Sequence, residues 1–238
     1  MKVSVAMATY NGEKYLEQQI DSILSQLGGD DELIISDDHS SDQTQAIIER
    51  YMKEDHRVKF FLNEESGVTS NFENAIKRTR NEIIFLSDQD DIWKPEKVET
   101  VKSYYEKNPN IQMIMSDITV VDNQLNTTIE SFYEFRGSRA GVLKNIIKNS
   151  YIGCAMSFRK ELKVKILPIP RNVPMHDMWI GLVADMNKSA LLIPEKLIYY
   201  RRHDATVTTV ENTSSWHEKL LWRYQISTLL INSKLKNK

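Results

Sequence analysis

Between Val3 and Leu86 the chain repeats one pattern three times: a short apolar run, an amphipathic stretch of helical period, then another apolar run. The apolar runs are Val3–Ala8, Glu32–Ser36, Val58–Leu62 and Ile83–Leu86, and each reads as a strand. Between them Lys14–Gln26, Thr44–Lys53 and Ser70–Thr79 read as helices. In the first helix Leu16, Ile20, Ile23, Leu24 and Leu27 recur at helical spacing, and Gly28-Gly29 ends it. Strands joined through single helices require right-handed crossovers, so the fold expected is α/β with a mainly parallel sheet flanked by helices. Four large apolar residues in a row at Ile83–Leu86 suit a strand covered on both faces.

Ligands of such sheets bind beyond the carboxyl ends of the strands. Polar residues fall there three times: Thr9-Tyr10-Asn11, Asp37-Asp38, and Asp88-Gln89-Asp90. Asp88 and Asp90 lie two apart, so continued extended geometry projects them to one side. Carboxylates so placed repel each other unless a cation lies between them, and hard oxygen ligands suit Mg²⁺ or Mn²⁺ better than zinc. Asp91 reads as the N-cap of a helix whose first turn holds Pro95. Asp42 reads as a cap before Thr44.

The 238 residues can bury a large core without covalent staples, and Cys154, the single cysteine, allows no internal disulfide. A formal charge of -2 gives no reason to expect nucleic-acid binding. The short apolar start at Val3–Met7 reads as a strand rather than a signal segment, and no run reaches the ~18 apolar residues of a membrane span.

Beyond residue 96 the pattern is less regular. Helices are expected at Lys97–Lys107, Gly141–Lys148 and Asp177–Met186, with strands at Met113–Val121, Cys154–Phe158, Ala190–Ile193 and Leu197–Tyr200. Pro168, Pro170 and Pro174 mark an extended loop. The reading is one domain over 1–210, regular over 1–110 and less regular over 111–210. A C-terminal amphipathic helix within 211–238 follows, rich in Trp, Leu and Lys. That helix suits packing against the core, a homodimer interface or an anionic membrane surface.

The strand-end sequences, taken together, resemble family-2 glycosyltransferases. The matching stretches are Val3–Asn11, Ile34–Asp42 and Asp88-Gln89-Asp90-Asp91, with Gly153–Arg159, His176-Asp177-Met178-Trp179 and Tyr200-Arg201-Arg202-His203 further on. The run Ser87–Trp93 is similar to the rhamnosyltransferase-like branch that builds bacterial surface polysaccharides. The resemblance implies a GT-A (Rossmann-like) fold and inverting transfer of a sugar from a UDP- or dTDP-linked donor to a hydroxyl of a glycan or lipid-linked acceptor. It implies Mn²⁺ or Mg²⁺ as cofactor and a cytoplasmic location, with peripheral contact at the inner membrane face as an option.

The same resemblance assigns roles, with 1–110 as the nucleotide-binding half and 111–210 as the acceptor and donor-sugar half. Thr9, Tyr10 and Asn11 line the nucleotide, with Tyr10 against the base, and Asp38 accepts the pyrimidine N–H. Asp88 lies toward ribose and metal, Asp90 binds the metal, and His203 joins as metal or diphosphate ligand. Asp177 is the general base, Trp179 a sugar-stacking residue, and Arg201 a partner for phosphate oxygens. Gly153 and Cys154 form the floor of the sugar pocket. Ser70–Asn74 lacks the Arg-Asn pair of many members, leaving Asn71 to reach the nucleotide. Two competing readings are a sugar nucleotidyltransferase and a catalytically silent nucleotide-sugar-binding protein. The first needs a glycine-rich, basic loop after the first strand, where this chain has Tyr10-Asn11-Gly12-Glu13. The second does not explain Asp88, Asp90 and Asp177 together.

Overall fold

The computed structural model describes residues 1–171 and 173–202, together with Ile226, Thr228 and Leu229. His203 and most of the expected C-terminal helix therefore lie outside the described residues. Ile226 is buried and Leu229 packs partly against the core. No helix among the described residues is long and apolar enough to cross a membrane.

The repeating first half folds as expected. Strands β1 (Val3–Thr9), β2 (Glu32–Asp37), β3 (Val58–Leu62) and β4 (Ile83–Ser87) are linked by helices α1 (Leu16–Leu24), α2 (Thr44–Glu54) and α3 (Val68–Arg78). They pair in parallel in the order β3-β2-β1-β4. From β1 the chain steps outward to β2 and β3 on one side, and the crossover from β3 returns to place β4 on the other side of β1, so a crevice opens at the carboxyl end of β1. The register sets Thr9 beside Asp37 and Met7 beside Ser87, bringing the three polar strand ends to one edge. Every residue of β4 is buried, as a strand covered on both faces requires.

Past β4 the sheet turns mixed. A short strand β5 (Ile92–Trp93) and helix α4 (Lys97–Lys107) lead to β6 (Met113–Val121). Then come β7 (Thr127–Ile129), α5 (Phe132–Arg136), α6 (Val142–Ile147), a 3-10 turn at Gly153–Ala155, β8 (Met156–Arg159), α7 (Lys160–Ile166), α8 (His176–Met186) and β9 (Ala190–Arg201). Strand β8 runs antiparallel between β4 and β6, β9 is parallel to β6, and β5 is antiparallel to β9.

The two strands expected at 190–200 are one strand. Register with β6 slips where Ser116 pairs Ile193 and Asp117 pairs Lys196. Pro194, which has no N–H to give the ladder, falls within that slip, so a bulge absorbs it and the strand continues. The strand expected at Cys154–Phe158 begins at Met156 because the 3-10 turn takes the preceding residues.

Candidate active site

At the end of β1, Thr9 and Asn11 hold the loop rather than face a ligand. Buried Thr9 donates its hydroxyl to Asp37 Oδ2 at 2.8 Å. Its carbonyl accepts the Asp38 N–H at 2.9 Å and Asn71 Nδ2 at 3.0 Å. Asn11 sits at φ 48°, a conformation asparagine tolerates, and its Oδ1 accepts the Ser41 N–H at 2.9 Å. Tyr10 between them is 57% exposed. Its N–H donates to Gln89 Oε1 at 2.8 Å and its carbonyl accepts Gln89 Nε2 at 2.9 Å. Gln89 is therefore a tie between the β1 loop and the acidic turn. Gly12 leaves room for it, since a Cβ there would lie 2.3 Å from Gln89 Oε1.

Asp38 closes the same edge. Its two oxygens accept from Asn63 Nδ2 at 2.9 Å and the Gly67 N–H at 2.8 Å, which pins the start of α3. A carboxylate offers about four acceptor positions, so capacity for a further donor remains. The Asn71 Oδ1 is buried and has no hydrogen-bond partner among the described residues. Asp42 accepts from the Thr44 N–H and hydroxyl, but the N-cap of α2 is Gln43, so Asp42 braces the turn one residue before the cap.

The acidic turn lies between β4 and β5. Burial, with Asp90 and Asp177 nearby, pushes the Asp88 carboxyl up to about 7. Asp91 is fully buried, and burial together with Asp90 and Asp88 pushes it far above the usual carboxylate range. Asp91 is not a helix cap. Helix α4 starts at Lys97, whereas Asp91 Oδ1 accepts the Arg201 N–H at 3.0 Å. Asp91 Oδ2 has no partner of hydrogen-bond geometry among the described residues. Asp88, Asp91 and Cys154 each offer a ligand atom within 4.8 Å of the others. The carboxylates fit a hard divalent cation. The thiol does not: burial pushes it well above its ordinary range, so it stays protonated, and sulfur is a soft ligand.

Arg201 is a clamp, which corrects the expectation that it meets phosphate. It is 3% exposed, and three of the five N–H donors of its guanidinium are held by protein acceptors. Nε donates to the Asp90 carbonyl at 2.9 Å, Nη1 to the Asn123 carbonyl at 3.3 Å and Nη2 to Gln18 Oε1 at 2.6 Å. The plane lies over the Tyr15 ring at 4.6 Å.

The sequence reading passed over Lys97. Its ammonium is buried, donates to the Cys154 carbonyl at 2.9 Å and sits 4.3 Å from the Trp93 ring centroid. Burial pulls it down to about 7, and Asp91 and Asp88 act in the opposite direction. One signal was available: Lys97 opens α4, and a helix N-terminus disfavours a cation.

Asp177 lies in the first turn of α8. Burial pushes it up to about 6, against the N–H groups of Met178, Gly153 and Asp177 itself. It also raises Asp88, so residues 89 positions apart in sequence converge electrostatically. Gly153 gives its N–H to this carboxylate and packs closely beneath it. A Cβ at Gly153 would lie 2.8 Å from His176 Nε2 and 3.7 Å from Asp177 Cβ. The His176 ring is buried, stacked at 4.0 Å on Phe72, and has no hydrogen-bond partner among the described residues. Burial pulls it down to about 3, so it is neutral. Gly153→Ala is expected to cost about 1–3 kcal/mol of stability by overpacking, with a larger proportional loss of kcat because the displaced ring precedes Asp177. Thermal melts beside kcat measurements check both.

Trp179 is core. It is 3% exposed and its Nε1–H donates to the Ile166 carbonyl at 2.9 Å, leaving no face for a sugar.

The profile of the family described as Glycosyl transferase family 2 matches residues 4–166. The chain belongs to that family. This glycosyltransferase is 29% identical over 192 residues to the UDP-Glc:α-D-GlcNAc-diphosphoundecaprenol β-1,3-glucosyltransferase WfgD of Escherichia coli, covering 79% of this chain and 72% of WfgD. It is 27% identical over 221 residues to the dTDP-rhamnosyl transferase RfbG of Shigella flexneri, covering 83% and 72%. Its fold matches Staphylococcus aureus TarS 1–349 in complex with UDP-GlcNAc with a TM-score of 0.71 at 18% identity, over 98% of this chain and 66% of that one. It also matches glucosyl-3-phosphoglycerate synthase of Mycobacterium tuberculosis, in complex with Mn²⁺, UDP-glucose and phosphoglyceric acid, with a TM-score of 0.61 at 18% identity, over 98% and 79%. The glycosyltransferase thus has the GT-A fold and spans about two thirds of the length of TarS 1–349.

Proposed function

We propose that this chain is an inverting glycosyltransferase of bacterial cell-surface polysaccharide synthesis. It moves a hexosyl or rhamnosyl group from a UDP- or dTDP-linked donor to a hydroxyl of a glycan or lipid-linked acceptor. The observation that carries this reading is the convergence of Asp88, Asp90 and Asp177: burial raises the first and the last, and Asp90 and Asp177 raise Asp88 further. Carboxylates raised in this way at one end of a sheet mark a site built for a cation and for proton transfer. A catalytically silent binder would have no use for the raised Asp177.

The donor enters along the β1–β2–β4 edge. Tyr10 presents an exposed ring to the base, Asp38 accepts the pyrimidine N–H in its remaining capacity, and Asn71 Oδ1 takes a donor from the nucleotide. Asp88 lies toward ribose and, with Asp90, holds Mg²⁺ or Mn²⁺; His203 is a further ligand in this reading. A bound cation supplies charge stabilisation to the departing diphosphate. Asp177 accepts the proton of the acceptor hydroxyl as that oxygen bonds to the anomeric carbon, on the face opposite the leaving diphosphate. Attack from that face inverts the centre. The transferase domain is 1–210 in this reading, and it works in the cytoplasm or at the inner membrane face.

Metal-dependent stabilisation tests the site. A nucleotide sugar at 100 times its Kd, with Mn²⁺, is expected to add about 2.7 kcal/mol, or roughly 5–10 °C in Tm for a chain of this size. Asp90→Asn should abolish the metal-dependent part. Equal shifts with and without Mn²⁺ would remove the cation from the mechanism. NMR of the product anomer tests inversion.

A further inference from the structure

One surface contains none of the residues given a role above. Helix α6 carries Leu143 and Ile147 one turn apart, 80% and 66% exposed, and Phe135 on α5 is 55% exposed. Exposed apolar side chains gathered in this way mark an interaction surface. Around them lie the cations Arg139, Lys144 and Lys148. The Lys144 ammonium donates to the Gly137 carbonyl and the Lys148 ammonium to the Arg136 carbonyl, which draws the end of α5 against α6. No ion pair among the described residues involves any of these three cations. They act on one another: burial, then Arg139 and Lys148, lowers Lys144. The single carboxylate between 132 and 148, Glu134, contributes instead to the field at Lys196.

We propose that the α5–α6 face, through Phe135, Leu143, Ile147 and the cations Arg139, Lys144 and Lys148, docks on an anionic phospholipid bilayer. Apolar side chains ringed by unpaired cations match the acyl boundary and the phosphates of such a surface together. The charge argues against the other occupants. A second copy would set the same cations against each other. The chain's own 203–238 segment carries five lysines and arginines against three carboxylates, so it too would be repelled. The face is mechanically linked to the site. The Gly141 N–H and the Tyr151 hydroxyl both donate to Asp185 Oδ2, at 2.9 and 2.6 Å, fastening α6 to α8. Eight residues of helix separate Asp185 from Asp177, about 12 Å. Docking would therefore hold Asp177 at a fixed height above the lipid surface. The inference does not depend on the transfer reaction, so either can fail alone.

The test is sedimentation of the full chain with vesicles of phosphatidylcholine alone or with 30 mol% phosphatidylglycerol added. Binding is expected only with phosphatidylglycerol, and to weaken steeply between about 50 and 500 mM salt. Arg139→Ser with Lys148→Ser should weaken it about 25-fold, near fivefold per cation. Leu143→Ser with Ile147→Ser should weaken it at least tenfold. All four side chains lie at the surface, so circular dichroism and Tm should stay those of the parent, and donor-induced stabilisation should persist. Equal binding to both vesicle types, no binding to either, or binding retained by both double variants would overturn the proposal. Loss of self-association in the variants, with vesicle binding unchanged, would overturn it in favour of a dimer.

Discussion

Asp177→Asn is expected to lower kcat by about 10²–10⁴-fold, the usual worth of a positioned general base, while leaving metal-dependent binding of the donor intact. Asparagine keeps the shape and an acceptor for the Met178 and Gly153 N–H groups but cannot take the acceptor proton. Stability should move the other way. The folded-state carboxyl of Asp177 is raised to about 6 from 3.8, so its ionised form opposes folding once pH exceeds the ordinary carboxylate range. That penalty grows as pH rises and is complete above the folded value. The variant should therefore gain up to about 3 kcal/mol at pH 7–8 and almost nothing near pH 3. A protein that is more stable and inactive is the signature of a carboxylate kept for chemistry rather than structure. Unchanged turnover would remove Asp177 as base. A large fall in Tm at pH 7 would instead make it a structural residue.

The parallel half was legible because its pattern is local. Strand β3 and helix α4 have the bounds the periodicity gives, and β1, β2 and β4 differ by a residue or so. The topology followed because a single helix between strands leaves few alternatives. What escaped was non-local or too short to carry a period. Strand β5 has two residues and exists because β9 is there to pair with. The bulge at Pro194 is visible only against β6, since a proline in isolation reads as a break.

The site divides in the same way. Asp88 and Asp177 stood out as acids next to strand and helix signals. The buried cations around the acidic turn did not, because a buried cation and a solvated one have the same letter. Lys97 looked like an ordinary lysine at the start of a helix, and Arg201 like a phosphate ligand. Asp91 satisfied every local rule for an N-cap, yet Arg201, 110 residues away, takes its Oδ1. Trp179 was ambiguous for the opposite reason: the resemblance placed it near the base, and the neighbouring α7 carbonyl took its only donor.

Arg201→Ala separates the two readings of that residue most sharply. If its guanidinium fastens the acidic turn, truncation strands the Asp90 carbonyl, the Asn123 carbonyl and Gln18 Oε1 without their donors and removes the cation from the Tyr15 ring. Losing a buried charge that makes three hydrogen bonds costs about 3–5 kcal/mol, or roughly 10 °C of Tm at this chain length. Because Arg201 pairs with β6 at Val121 and its N–H reaches Asp91, the turn would also lose its alignment with β9, and Mn²⁺ affinity should fall with it. Arg201→Lys should recover only part of either loss: an ammonium is a point charge and cannot span three acceptors in one plane. A phosphate ligand would behave differently. Its removal would leave Tm and Mn²⁺ affinity untouched and weaken only the nucleoside diphosphate, and that result would return Arg201 to the donor site.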